Sequence, residues 1–311
     1  MEATNTTIDQ IIEKGCGIDV HKEMMMVTIM GKGLKKVTKE FQTFTEDIQT
    51  CRQWLVSHGI KYVAMESTGV YWKPIFNILS EDLEIILVNA RHIKNVPGRK
   101  TDVKDSEWIC KLLLNGLLKG SFIPQELIRE TRDIFRYKVK MTQAASAEKN
   151  RIQRILEDAN IKLSSVVSDM SGVTAIKLID GLIEGCEDTM KLVDKTYHGK
   201  LKASKADLNK AMTGRLTEHH KFMLLEIKDH IKYLEQKIGN LEQKLEEKLS
   251  AYQTEIDLLD TIPGLDKESA IGIISEIGIN MDVFPDAEHL ASWAGMCPGN
   301  NESAGKKKVQ E

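Results

Sequence analysis

The chain offers no cysteine pattern to build on. Its five cysteines, Cys16, Cys51, Cys110, Cys186 and Cys297, are odd in number, scattered and without Cys-x-x-Cys spacing. That excludes a disulfide framework and a thiolate zinc site, and it fits a reducing cytosol. A long hydrophobic run is also missing: nothing approaches the roughly 20 apolar residues that span a bilayer. The stretch from Met1 to Thr7 has no basic segment leading into an apolar one, so neither export nor a membrane partner is expected. Strong charge of one sign is absent as well. The formal net charge is -3, which by itself announces no nucleic-acid binder.

What is present begins with local charge. Arg91, Lys94, Arg99, Lys100 and Lys104 crowd one segment, Arg136, Lys138, Lys140, Lys149, Arg151 and Arg154 another, and Lys306, Lys307 and Lys308 a third. Such clusters, more than the overall isoelectric point, are the footprint of a polyanion partner, although a charged loop is more often simply solvated. With 29% charged and 41% hydrophobic residues among 311, the composition is that of an ordinary globular chain. Its length predicts two or three domains, since single cores stop growing at roughly 250 to 300 residues.

The chain is organised around Gly15-Cys16-Gly17-Ile18-Asp19-Val20-His21-Lys22, where an apolar run ends in a carboxylate. Residues 16 to 20, Met24 to Met30 and Lys35 to Phe44 read as three strands with short connections, hence an antiparallel meander. A helix follows over Glu46 to His58, then a strand over Lys61 to Glu66 and a helix over Val70 to Ser80. A strand over Glu84 to Asn89 and a helix over Val103 to Leu118, closed by Gly120, complete the run. This β-β-β-α-β-α-β-α order is that of the α/β ribonuclease-H-like (RuvC-like) fold, a mixed sheet flanked by helices with its sites at the strand ends. There Asp19 and Glu66 converge. Asp102 and Asp105, three apart at a helix start, share one helical face.

Beyond Pro124, Leu127 to Ala159 and Leu216 to Leu249 are long, charged, helical stretches. In the second, Leu224, Ile227, Ile231, Leu234, Ile238, Leu241 and Leu245 alternate spacings of three and four, a coiled-coil seam that needs a partner helix, either the first stretch or another subunit. Near the end, Pro263-Gly264-Leu265 joins two helical segments in a way similar to a helix-hairpin-helix reader of the DNA backbone, with N–H groups of the second helix offered to a phosphate. The expected organisation is 1–122 as the RuvC-like domain, 123–254 as a helical coiled-coil and dimerisation region, and 255–311 as a small, mostly α C-terminal domain.

Each acid alone has an ordinary reading: Asp19 as a strand end, Glu66 and Asp102 as helix caps. Together, Asp19, Glu66, Asp102 and Asp105 form a set of oxygen donors suited to Mg²⁺, one ion or two, with Mn²⁺ as a substitute. Two such ions can activate a nucleophile and stabilise the leaving oxygen of a phosphoryl displacement. Ser303, in a loop rich in glycine, asparagine and lysine, reads locally as a turn residue.

The motifs Gly-Ile-Asp19-Val-His-Lys, Met-Glu66-Ser-Thr-Gly-Val-Tyr-Trp, and Asn-Ala-Arg91-His through Gly98-Arg-Lys-Thr-Asp102-Val-Lys-Asp105 resemble the DEDD insertion-sequence transposases of the one-hundred-and-ten family, relatives of Piv-type invertases. The resemblance implies a RuvC-like domain, a coiled coil and a C-terminal transposase domain. It implies that Asp19, Glu66, Asp102 and Asp105 are the catalytic, metal-binding tetrad, and that Ser303, within Glu302-Ser303-Ala304-Gly305-Lys306, is the nucleophile. Nucleic-acid contacts are expected at Arg91, Lys94, Arg99, Lys100, Lys104, Arg151, Arg154, Gly264, Lys306 and Lys307. The implied partners are element-end and target DNA, a guide (bridge) RNA that selects sequence by base pairing, and further copies of the chain as a dimer or tetramer. The implied place of work is the cytoplasm, at the nucleoid. In the family a basic helical segment continues past the serine, so the C-terminal domain is expected to be incomplete here.

Three other readings compete. A RuvC-like, structure-selective nuclease would use water and leave Ser303 a bystander. An actin-like or sugar-kinase-like ATPase shares the opening meander, but Val-His-Lys follows Asp19 where a phosphate loop needs glycine. A non-enzymatic scaffold binding RNA or DNA would not need the acids.

Overall fold

The structure is a computed structural model of the full chain, and it describes residues 12–67, 69–90, 93, 105–186, 188–197 and 202–296, with the backbone alone at 302–303 and 306–307. The chain divides into two compact units, one formed by residues 1–125 with 280–311 and the other by Glu126–Ile279. The three regions drawn from the sequence part instead at 122/123 and 254/255.

The first unit is built on a five-stranded sheet in the order β3-β2-β1-β4-β5. Its strands are β1 (Lys14–Val20), β2 (Met24–Gly31), β3 (Leu34–Gln42), β4 (Tyr62–Glu66) and β5 (Glu84–Val88). The meander β1-β2-β3 is antiparallel, and β1, β4 and β5 run parallel, with Ile18 opposite Met65 and Glu66 opposite Val88. This is the mixed α/β sheet that the element order predicts.

Side chains alternate between the two faces of a strand, and the sheet shows it in its cores. Cys16, Ile18, Val20, Met25, Val27, Ile29, Val63, Met65 and Leu87 join Ile48, Cys51 and Leu55 of helix α1 (Thr45–Ser57) and Ile75 and Leu79 of helix α2 (Trp72–Leu79). Ala64, Ile86 and Val88 face the other way, into a core with Ile109, Leu112 and Leu113 of helix α3 (Asp105–Leu114). The predicted helix over Val103 to Leu118 is shorter at its end, because Gly116 turns into the left-handed region at φ +66°, where only glycine enters without strain. Positions 103 and 104 lie outside the described residues.

The second unit contains helix α4 (Glu126–Asp158), the shorter helices α5 (Val173–Ile183), α6 (Thr189–Thr196) and α7 (Lys205–Met212), then helix α8 (Glu218–Leu249). Helices α9 (Gln253–Asp260) and α10 (Lys267–Ile277) close it. Helices α4 and α8 pack together and run antiparallel, for Glu130 pairs with Lys248 at one end and Asp158 with His220 at the other. Leu224, Ile227, Ile231, Leu234 and Leu245 of the apolar seam are buried, and Ile238 and Leu241 are half-buried. Helix α4 thus covers a seam for which the sequence left the partner open. Among the described residues no helix is long and apolar enough to cross a membrane.

Candidate active site

Gly15, Gly17 and Asp19 alternate with Cys16, Ile18 and Val20, whose side chains enter the core under α1 and α2. The three therefore look toward the opposite face, the one covered by α3. Glu66 alternates in the same way with Met65, and shares its face with Ala64. Asp19 follows Ile18, and Glu66 follows Met65, where Ile18 and Met65 are register partners of parallel strands. The two acids accordingly stand side by side, on one face, at the carboxyl ends of β1 and β4.

Helix α3 brings its first turn to the same place. A Cβ on Gly17 would lie 2.2 Å from the Ser106 carbonyl oxygen and 2.4 Å from the Cys110 nitrogen, and one on Gly15 would meet the Leu113 side chain at 2.9 Å. The helix backbone therefore rests directly on β1, its later turns near Gly15 and its start toward Asp19. Asp105 opens the helix and is exposed, whereas Ser106 is fully buried. A carboxylate in a first turn is favoured by the positive end of the helix dipole. Two strand ends and one helix start thus deliver Asp19, Glu66 and Asp105 to one edge of one face.

Asp19 is largely covered, with 18% of its side chain exposed, and its Oδ2 lies 3.2 Å from Nε2 of the exposed His21. Glu66 is half-buried. Oxygen donors of this kind suit a hard divalent cation. Among the described residues no three His, Cys, Asp or Glu side chains stand close enough together to hold a metal ion; the fourth acid, Asp102, lies outside the described residues. Cysteine is not a competing ligand. Burial pushes the Cys51 and Cys110 thiols up to about 12 and Cys16 well above its ordinary value, so all three stay protonated and inert.

The expected nucleic-acid contacts meet different ends. Arg91, Lys94, Arg99, Lys100 and Lys104 lie outside the described residues. In the second unit Arg151 is held by Glu148 at 2.9 and 3.1 Å, which draws on its charge, and Arg154 is exposed. Gly264 occupies the turn between α9 and α10 with φ +90°. The N-terminus of α10 already carries an anion of its own, since Asp266 accepts from the Ser269 N–H at 2.8 Å. That cap competes with a phosphate for the same N–H groups.

Ser303 lies on a two-residue strand, β6 (Glu302–Ser303), antiparallel to β7 (Lys306–Lys307), with Ser303 opposite Lys306. This segment belongs to the first unit, the one that holds the acids. Ahead of it, Phe284 and Trp293 gather on Phe122 with ring centroids 5.2 and 5.9 Å away and stand 5.9 Å from each other. Edge-on and tilted aromatic contacts of this kind add to the area they bury.

Residues 16–161 match the family model DEDD_Tnp_IS110, described as a transposase, and residues 256–311 match the model described as "Transposase IS116/IS110/IS902 family". These two regions are similar to the transposase domains that the two models describe. The first match spans Asp19, Glu66, Asp102 and Asp105, and the second spans Ser303, Lys306 and Lys307. A solved structure titled "Thermus thermophilus RuvC structure" is similar at 13% identity over 35% of this chain and 99% of that one, with a TM-score of 0.27. No curated protein matches the chain.

Sequence reasoning overlooked Gly17 as a site residue, although a glycine inside a strand signals close approach of another backbone. It also overlooked the hydroxyls of Thr28 and Ser106, for which the sequence carries no signal, because the two are 78 positions apart and meet only through the fold.

Proposed function

We propose that this protein is the transposase of an insertion sequence, cutting and rejoining DNA strands with a carboxylate-bound divalent metal and a serine nucleophile. The observation that carries the reading is the placement of Asp19, Glu66 and Asp105 at one edge of the α3-covered face. In this reading Asp19, Glu66, Asp102 and Asp105 hold Mg²⁺, with Mn²⁺ able to replace it. When bound, the cation supplies Lewis-acid polarisation of the phosphoryl group.

The chain's own residues do the rest. The Ser303 Oγ attacks phosphorus, and the proton its hydroxyl gives up passes through solvent to the leaving sugar oxygen. The phosphorus–oxygen bond to one deoxyribose breaks, leaving a phosphoserine link and a free sugar hydroxyl. A sugar hydroxyl of the exchanging strand then attacks that phosphorus, and the serine is released. Arg91, Lys94, Arg99, Lys100 and Lys104 precede α3 in sequence and neutralise phosphates there. Arg151, Arg154, Gly264, Lys306 and Lys307 contact the backbone elsewhere. A guide RNA chooses element-end and target DNA by pairing, which leaves backbone and shape to the protein. The work is done in the cytoplasm at the nucleoid, by a dimer or tetramer. The three functional regions are 1–122, 123–254 and 255–311.

The test incubates the protein with Mg²⁺, co-purifying RNA and element-end DNA, and looks for a protease-sensitive protein–DNA adduct. The expected result is an adduct in the wild type that is lost in Ser303→Ala and in Asp19→Asn. Cut ends that persist in Ser303→Ala, without adduct, would replace the serine route by hydrolysis with water.

A further inference from the structure

Helix α3 meets the sheet through two kinds of contact. Along most of its length the buried side chains are Ile109, Cys110, Leu112 and Leu113, an apolar fit apart from a weak hydrogen bond that the Cys110 thiol donates to the Gly15 carbonyl at 3.3 Å. At its first turn the contact is polar. Ser106 Oγ lies 2.8 Å from Thr28 Oγ1, and Thr28 Oγ1 lies 2.9 Å from Thr38 Oγ1. Thr28 and Ser106 are both fully buried. The hydroxyls form a chain from β3 through β2 to the start of α3, directly beside Asp105.

We propose that Thr28 and Ser106 are positioning residues that fix Asp105 at the carboxylate site, an inference that rests on reading Asp105 as a cation ligand. Apolar packing is non-directional and tolerates small slides along an axis. A hydrogen bond fails as it lengthens or bends. One residue of helix rises only about 1.5 Å, so an axial slip of a fraction of a residue displaces Asp105 by more than a ligand distance tolerates. Hydroxyls sealed from water are costly unless they satisfy each other. Here they do so at the one end of α3 where axial position bears on chemistry. Gly17 sets how closely the helix approaches, its missing Cβ leaving room for the Ser106 carbonyl, and the hydroxyl chain sets where along the strand it stops.

The experiment measures Mn²⁺ binding to the full chain by electron paramagnetic resonance, alongside thermal unfolding, in the wild type and in Asp105→Asn, Thr28→Val and Thr28→Ser. The expected result is Asp105-dependent Mn²⁺ binding that weakens about tenfold in Thr28→Val and returns to the wild-type level in Thr28→Ser, which keeps the hydroxyl. Thr28→Val that binds Mn²⁺ as the wild type does, while Asp105→Asn does not, would overturn the proposal and leave the metal reading standing. Mn²⁺ binding that is absent in the wild type, or indifferent to Asp105→Asn, would sink the metal reading and this inference with it. Should Thr28→Val not fold, Ser106→Ala decides by the same two results, since it removes one hydroxyl and leaves Thr28 bonded to Thr38.

Discussion

In the unit that carries the acids, α3 lies on β1 with nothing but backbone between them at Gly17. In the other unit, α4 covers the apolar seam of α8, and the seam is flanked by the ion pairs Glu130 with Lys248 and Lys149 with Glu235 and by the carboxylate–histidine contacts Glu148 with His230 and Asp158 with His220. The first contact fixes how closely the helix approaches the strand, because steric overlap rises steeply with a shift of tenths of an ångström. The second adds to a non-directional apolar seam long side chains that re-aim readily, the exposed pairs among them each contributing little. A site made of three short side chains from separate elements needs the first kind of contact. A helical arm needs only to keep its direction and register.

Substitution at Gly17 should separate the two most sharply. A methyl there meets a carbonyl oxygen and an amide nitrogen, neither of which can rotate away. Gly17→Ala should cost about 3 kcal/mol in urea unfolding, at the upper end of overpacking effects. It should also abolish DNA cleavage, since α3 and Asp105 must move off the sheet. A Gly17→Ala protein with wild-type stability and activity would show that the contact is soft and the contrast false.

Charge is buried in the second unit as well. Lys138, with 7% of its side chain exposed, reaches Glu242 at 3.0 Å and Glu268 at 2.9 Å, joining α4, α8 and α10. Burial pulls its ammonium toward neutrality, but the hydrogen bonds and charges of Glu268 and Glu242 outweigh that and leave its pKa raised. A raised lysine pKa means that the folded state binds the proton more tightly than the unfolded state. The stabilisation is therefore fully present below the ordinary lysine value of about 10.4 and is lost as pH rises through the folded value. Replacing both glutamates by alanine strands the charge. It should cost about 2 kcal/mol at neutral pH, less than a fully buried pair because both glutamates are half exposed. Urea midpoints at pH 7 and near pH 11 check it: the gap between wild type and variant should narrow at the alkaline end, and a constant gap would mean that packing, not charge, is being measured. DNA cleavage should survive wherever the variant stays folded.

The same contrast explains what could be read without coordinates. Strand alternation around Asp19 and Glu66 follows from period two, and it is enough to place both on one face and at one end of neighbouring strands. The seam from Leu224 to Leu245 follows from helical spacing, and says that α8 needs a partner. Which partner it takes depends on pairs such as Glu130 with Lys248, 118 positions apart, and no local pattern announces them. Thr28 is harder still. In a strand of Met, Val and Ile a threonine is an ordinary β-former, and its meaning comes only from the serine and threonine that the fold brings to it. Pro263-Gly264 correctly announced a turn, but not that Asp266 would take the N–H groups expected to hold a phosphate.

The smallest effect tests the other side of the comparison. Gly239 sits in the interior of α8, is exposed, and has nothing within 4 Å of where a Cβ would be. A glycine in a helix interior loses more backbone freedom on folding than alanine does, and no contact here repays that loss. Gly239→Ala should therefore stabilise the chain by about 0.5–1 kcal/mol, read as a higher urea midpoint with an unchanged slope, and should leave DNA cleavage where it was. The same exchange of glycine for alanine would thus have opposite signs in the two units, decided by whether a backbone or open solvent stands opposite the new methyl group. Destabilisation at Gly239 would mean that this face of α8 is covered in solution, and would turn attention to a second copy of the chain lying against it.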